Sequence, residues 1–93
     1  MSIPQKNQSK MMNSIELLHP STNTVTIIKS NFDVYMAIFL INKIYEVEPE
    51  WRLRDERAPG LITEKAMEII RGKNKVGEIT NLKNEIVLIW RRL

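Results

Sequence analysis

A chain of 93 residues, 43% apolar and 27% charged, has enough of both classes to fold as one small domain and too little length for two. It has no cysteine, which excludes disulfides, thiolate metal sites and cysteine nucleophiles together. The net charge of +3 suits a nucleic acid or an acidic protein as partner and selects neither.

Residues 1–13 are rich in Gln, Lys, Asn and Ser and read as a flexible arm ahead of a single domain over residues 14–93. The arm lacks the apolar centre of a signal peptide. The longest apolar run, residues 34–41, falls well short of the ~20 residues that span a bilayer. The expectation is a cytoplasmic protein, or one in the host cytoplasm if the source is viral, with no membrane partner.

Residues 14–29 predict a β-hairpin. A short apolar strand, Ile15 to Leu18, meets turn chemistry at His19, Pro20, Ser21, Thr22 and Asn23. The β-branched run from Thr24 to Ile28 comes next. Such a hairpin is marginal alone and must dock on something.

Residues 30–47 predict the central helix. Ser30 or Asn31 can cap it, and Asp33 places a negative charge in the first turn, where it suits the helix dipole. From Val34 to Ile41 this helix is apolar on nearly every side, and a buried strand is the competing reading of that run. A helix of that kind is either wrapped by its own domain or paired with another chain, so a homodimer through residues 31–47 is one partner option. Residues 46–59 are charged, with Pro49 placed to start a short helix and Pro59-Gly60 to end it.

Residues 62–72 carry the cleanest helix signal. Thr63 reads as the N-cap, Ile62 and Met67 as a hydrophobic staple, and Gly72 as a left-handed stop. Residues 76–93 have two readings. At helical spacing Val76, Ile79, Leu82, Ile86, Ile89, Trp90 and Leu93 share one broad face. As a hairpin, the segment would turn at Lys83-Asn84 and bury a strand from Ile86 to Trp90. The helical reading takes precedence because the stripe is long. The expected architecture is a small α+β domain: an N-terminal β-hairpin, a buried central helix and two or three further helices.

No constellation here supports covalent chemistry. Gly72 and Gly77 have the glycine spacing of a phosphate-binding P-loop, but Glu78 and Ile79 stand where Lys and Ser or Thr must come. His19 is the sole histidine, so no metal set can form around it. Glu46, Glu48 and Glu50 lack the glycine and the terminal bidentate carboxylate of a calcium loop. No catalytic residue, metal or cofactor is expected.

Two binding readings remain. The first is a non-enzymatic protein-binding adaptor or inhibitor, of the kind viruses and mobile elements carry. Its interface candidates are Trp51, Arg52, Arg54 and Arg57, a large aromatic among guanidinium groups. The second is a nucleic-acid-binding regulator of helix-turn-helix or winged-helix type over residues 63–93. Its contact candidates are Arg71, Lys73, Lys75, Lys83, Arg91 and Arg92. Basic and acidic residues alternate from Glu46 to Glu68, which disfavours a long phosphate-tracking stripe. Protein interaction therefore ranks first.

Overall fold

The structure is a computed structural model that describes residues 12–57 and 59–93. Seven elements are described: β1 (Asn13–His19), β2 (Thr24–Ser30), α1 (Asp33–Val47), α2 (Glu50–Arg57), α3 (Leu61–Arg71), β3 (Val76–Thr80) and β4 (Ile86–Arg92). The strands form one antiparallel sheet in the order β2-β1-β4-β3. The chain is thus an α+β domain with a four-stranded sheet and three helices among the described residues. The arm expected over residues 1–13 lies, up to Met11, outside the described residues. Asn13 already belongs to β1, paired with Ser30.

The N-terminal hairpin forms as its composition requires. Its register runs without a slip from Asn13 opposite Ser30 to His19 opposite Thr24, and Asn23 takes the left-handed conformation (φ 57°) that closes the turn. Side chains alternate across the sheet. Ile15, Leu17 and Ile28 point to the helical side and are buried, while Glu16, Leu18, Val25 and Ile27 point to the opposite face.

Residues 76–93 are where the structure departs from the helical expectation. They form the β3–β4 hairpin. The turn is built by Asn81, whose Oδ1 accepts hydrogen bonds from the backbone N–H groups of Lys83 (2.9 Å) and Glu85 (3.0 Å). Asn84 sits beside it at φ 63°. Asparagine competes with regular structure by bonding nearby backbone, and tolerates positive φ. These two local devices override the apolar stripe, and Leu82, which the helical reading counted inward, is exposed. The register shifts between Ile79–Leu88 and Thr80–Ile86. This bulge lets the neighbours Val87 and Leu88 both be buried.

Strand β4 joins the two hairpins by pairing with β1 on one side and β3 on the other. The helices cover one face of the sheet, with α1 resting on β2, β1 and β4 and packed side by side with α3. The core lies between the layers. It contains Met36, Ala37, Leu40 and Ile44 from α1, Trp51 from α2, and Ile62, Ala66 and Ile70 from α3, set against the inward strand residues.

Two details of α3 differ from expectation. Its N-cap is Gly60, at φ 91° and ψ −7°, so Thr63 lies inside the first turn and caps nothing. Gly72 is extended (φ −72°, ψ 173°), not left-handed. Its glycine is needed because a Cβ would stand 2.8 Å from the Glu68 carbonyl oxygen. The end of α3 is held instead by Arg92. Its guanidinium donates to the carbonyls of Ile69 (2.7 Å), Ile70 (3.3 Å), Gly72 (3.3 Å) and Asn74 (3.2 Å). A cation at a helix C-terminus bonds the last free carbonyls and suits the dipole.

Candidate protein-interaction surface

Helix α1 is apolar on both sides, and the fold uses only one of them. Met36, Ala37, Leu40 and Ile44 lie a turn or so apart and face the sheet. The opposite side presents Tyr35 (52% exposed), Ile38 (46%) and Phe39 (43%), with Phe32 and Val34 exposed beside them. Phe32 and Tyr35 pack edge to face, with ring centroids 5.8 Å apart. Two large side chains are thereby held in place on the surface. Further along the same side the stripe turns polar at Asn42 and Glu46. Glu46 bonds Lys43 at 2.8 Å, and that hydrogen bond and charge hold its carboxyl below the usual glutamate value.

A second uncovered surface is the outward face of the sheet, where Val25, Ile27, Val76 and Ile86 are exposed. Glu16 and Arg91 cross it as an ion pair at 3.2 Å. A third feature is a cleft of about 440 Å3 between α3 and the β3–β4 turn, with Trp51 among its lining residues and Leu61 and Leu82 beside it.

The residues singled out in the sequence are dispersed by the fold. Trp51 is not a protruding anchor: it is 6% exposed and belongs to the core. Arg52 lies over the ring of Tyr45, 5.2 Å from its centroid. Arg54 is half-buried and lines the cleft, and Arg57 is exposed on α2. Among the nucleic-acid candidates, Arg71 stands 3.8 Å from Asp33, Arg91 pairs with Glu16, and Arg92 is engaged with the α3 carbonyls and the Trp90 ring. Lys73 and Lys75 are exposed in the turn between α3 and β3, while Lys83 is exposed at the far end of the same hairpin, in the β3–β4 turn. With β3 and β4 in place of a second helix, a helix-turn-helix does not form. The chain after α3 is a hairpin, which leaves only the winged outline.

The other motifs have local explanations. A Cβ on Gly77 would fall 2.6 Å from the Trp90 indole across the β3–β4 pair, so packing accounts for this glycine as the Glu68 carbonyl does for Gly72. His19 is held in its turn by the hydroxyls of Ser21 (2.8 Å) and Thr22 (3.1 Å). Glu48 accepts a hydrogen bond from Asn81 at 3.2 Å, tying the end of α1 to the β3–β4 turn. Among the described residues no group of acidic, His or Cys side chains could hold a metal ion. No helix among them is long and apolar enough to cross a membrane.

The outward stripe of α1 carried a sequence signal. Asn42 and Glu46 are one turn apart and mark a polar side. One turn before Asn42 stand Phe39 and Ile38, and one turn before those stands Tyr35. Comparison of the chain with protein-family models, curated proteins and solved structures finds no match.

Proposed function

We propose that this protein is a small non-enzymatic binding module, an adaptor or inhibitor, that contacts another protein chain through the outward stripe of α1. The observation that supports this is the run of half-exposed aromatic and branched side chains from Phe32 to Phe39 on one helix face. Contiguous exposed apolar surface of this kind marks interaction sites in soluble proteins, and aromatic residues dominate binding energy at such sites. Self-association through residues 31–47 is one form of the same contact.

The test is capture from cells that produce the protein, using wild type and the double variant Ile38→Asp, Phe39→Ser. Both positions face away from the core, so the variant keeps its thermal midpoint. A chain held by wild type and lost by the variant is the expected result. Equal recovery by both proteins would refute the α1 assignment.

A second reading, nucleic-acid binding of winged outline, draws on the exposed Lys73 and Lys75 in the turn after α3, with Arg71 beside them at the helix end. Fluorescence anisotropy with mixed-sequence DNA and RNA across a salt series separates the two. Tight binding that weakens steeply with salt, and a lower slope in Lys73→Ala with Lys75→Ala, would favour this reading over the first.

A further inference from the structure

We infer that the partner of the α1 surface is a second copy of this chain, joined by antiparallel pairing of β2 with β2 into one continuous sheet of twice four strands. The inference rests on the α1 reading above and adds the edge of β2 to it.

The two edges of the sheet are built differently. Strand β3 is short, carries Glu78 and Gly77, and contains a register shift against β4. Those are the features by which natural sheets discourage edge pairing. Strand β2 is longer, keeps an unbroken register and carries a single edge charge. It runs from Thr24 to Ser30 with β-branched residues at five successive positions, no Gly or Pro, and Lys29 as its only charge. Its pairing with β1 is regular throughout, so its free edge is straight and open. No described element covers that edge.

The strand is also self-complementary. A two-fold axis at Ile27 sets Ile27 against itself, Thr26 against Ile28, Val25 against Lys29 and Thr24 against Ser30. No like charges oppose one another, and the lysine stem lies along an apolar neighbour while its ammonium reaches water.

The α1 stripe borders the same edge. A groove of about 450 Å3 runs between residues 26–29 of β2 and the α1 side chains Phe39, Asn42, Lys43 and Glu46. Such an axis keeps both helical layers on one side of the joined sheet. Two helices resting over β1 and β2 and related by it stand about two strand spacings apart, roughly 10 Å, which is the packing distance of two helices. Beside that edge stand Val25 (54% exposed) and Ile27 (51%) on the outward face and Phe39 (43%) on the helical side, apolar side chains that the joined sheet sets against their copies on both of its faces.

The experiment uses the full chain. Sedimentation equilibrium over the micromolar range is expected to give a dimer, and a monomer throughout would overturn the inference. Hydrogen exchange read by NMR then identifies the contact. Alternate β2 amides point away from β1 and exchange freely in a monomer; in the β2–β2 pair they slow by about a hundredfold or more. The absence of cysteine allows a third readout. Ile27→Cys places one thiol at the axis, where facing residues lie within disulfide reach, and oxidation is expected to give a covalent dimer. Val76→Cys, on the other edge, is expected to stay uncrosslinked. A dimer with freely exchanging β2 amides that Ile38→Asp dissociates would overturn the edge pairing and leave the α1 surface standing. A dimer indifferent to Ile38→Asp, with β2 amides that exchange freely, would count against both.

Discussion

Arg91 and Arg92 are neighbours of identical charge, and the fold gives them opposite weight. Arg91 lies on the open face of the sheet in an ion pair with Glu16, the guanidinium well exposed to solvent and the carboxylate partly so. Exposed pairs of this kind contribute roughly 0.2–1 kcal/mol. Arg92 points to the helical side and donates to four backbone carbonyls at and just beyond the end of α3, the shortest bond being 2.7 Å to Ile69. Bonds from a charged donor contribute about 1.5–3 kcal/mol each when isolated, but here they share one group, and the freed carbonyls can turn to water. A net loss of about 2 kcal/mol is therefore expected for Arg92→Met, which keeps the apolar stem. For a domain of this size that is a fall of roughly 8–16 °C in thermal midpoint. Urea unfolding followed by circular dichroism measures both variants, with an unchanged m-value certifying comparable end states. Arg91→Met loses the same charge and is expected to lose under about 1 kcal/mol. Equal losses for the two would refute the reasoning, since overall charge and not the α3 cap would then explain them.

Three more variants probe the core and its caps. Gly77→Ala forces a methyl to within 2.6 Å of the buried Trp90 ring and is expected to destabilise by about 1–3 kcal/mol. Pairing it with Trp90→Leu relieves most of that loss, and a double-mutant cycle showing simple additivity would contradict the contact. Trp51→Ala removes a core side chain and is expected to lower stability by about 3–5 kcal/mol in thermal unfolding; an unchanged midpoint would return Trp51 to the surface. Thr63→Ala is expected to cost less than about 0.5 kcal/mol, because Gly60 holds the cap position. A loss near 1 kcal/mol, the usual cost of removing a cap, would put Thr63 back in that role.

The first half of the fold was legible because local chemistry and tertiary context agree there. The turn residues from Pro20 to Asn23 and the β-branched run after them specify a hairpin whichever way it docks. Asp33 in the first turn and the length of the segment favour α1 over a buried strand. The last segment was not legible from periodicity, because Ile79 and Trp90 satisfy a helical stripe and strand burial alike. Asn81 and Asn84 carried the decisive turn signal, two residues that bond or bend the backbone locally. Gly72 read as a left-handed helix stop, and Gly77 had no assigned role once the phosphate-binding loop was excluded, because their cause, contact with Glu68 and Trp90, is invisible until the strands are placed. Trp51 read as an interface anchor for the same reason: its place in the core depends on how α2 docks. The edge status of β2 depends on β4 inserting beside β1, a long-range pairing that no local pattern encodes.

The most direct test of the interaction surface is site-specific photo-crosslinking in cells that produce the protein. A benzophenone side chain replaces Ile38 in one variant and Lys65, exposed on α3, in another. A binding face on α1 predicts discrete adducts from position 38, to a second copy or to another protein, and none from position 65. Crosslinks at 65 with none at 38 would contradict it.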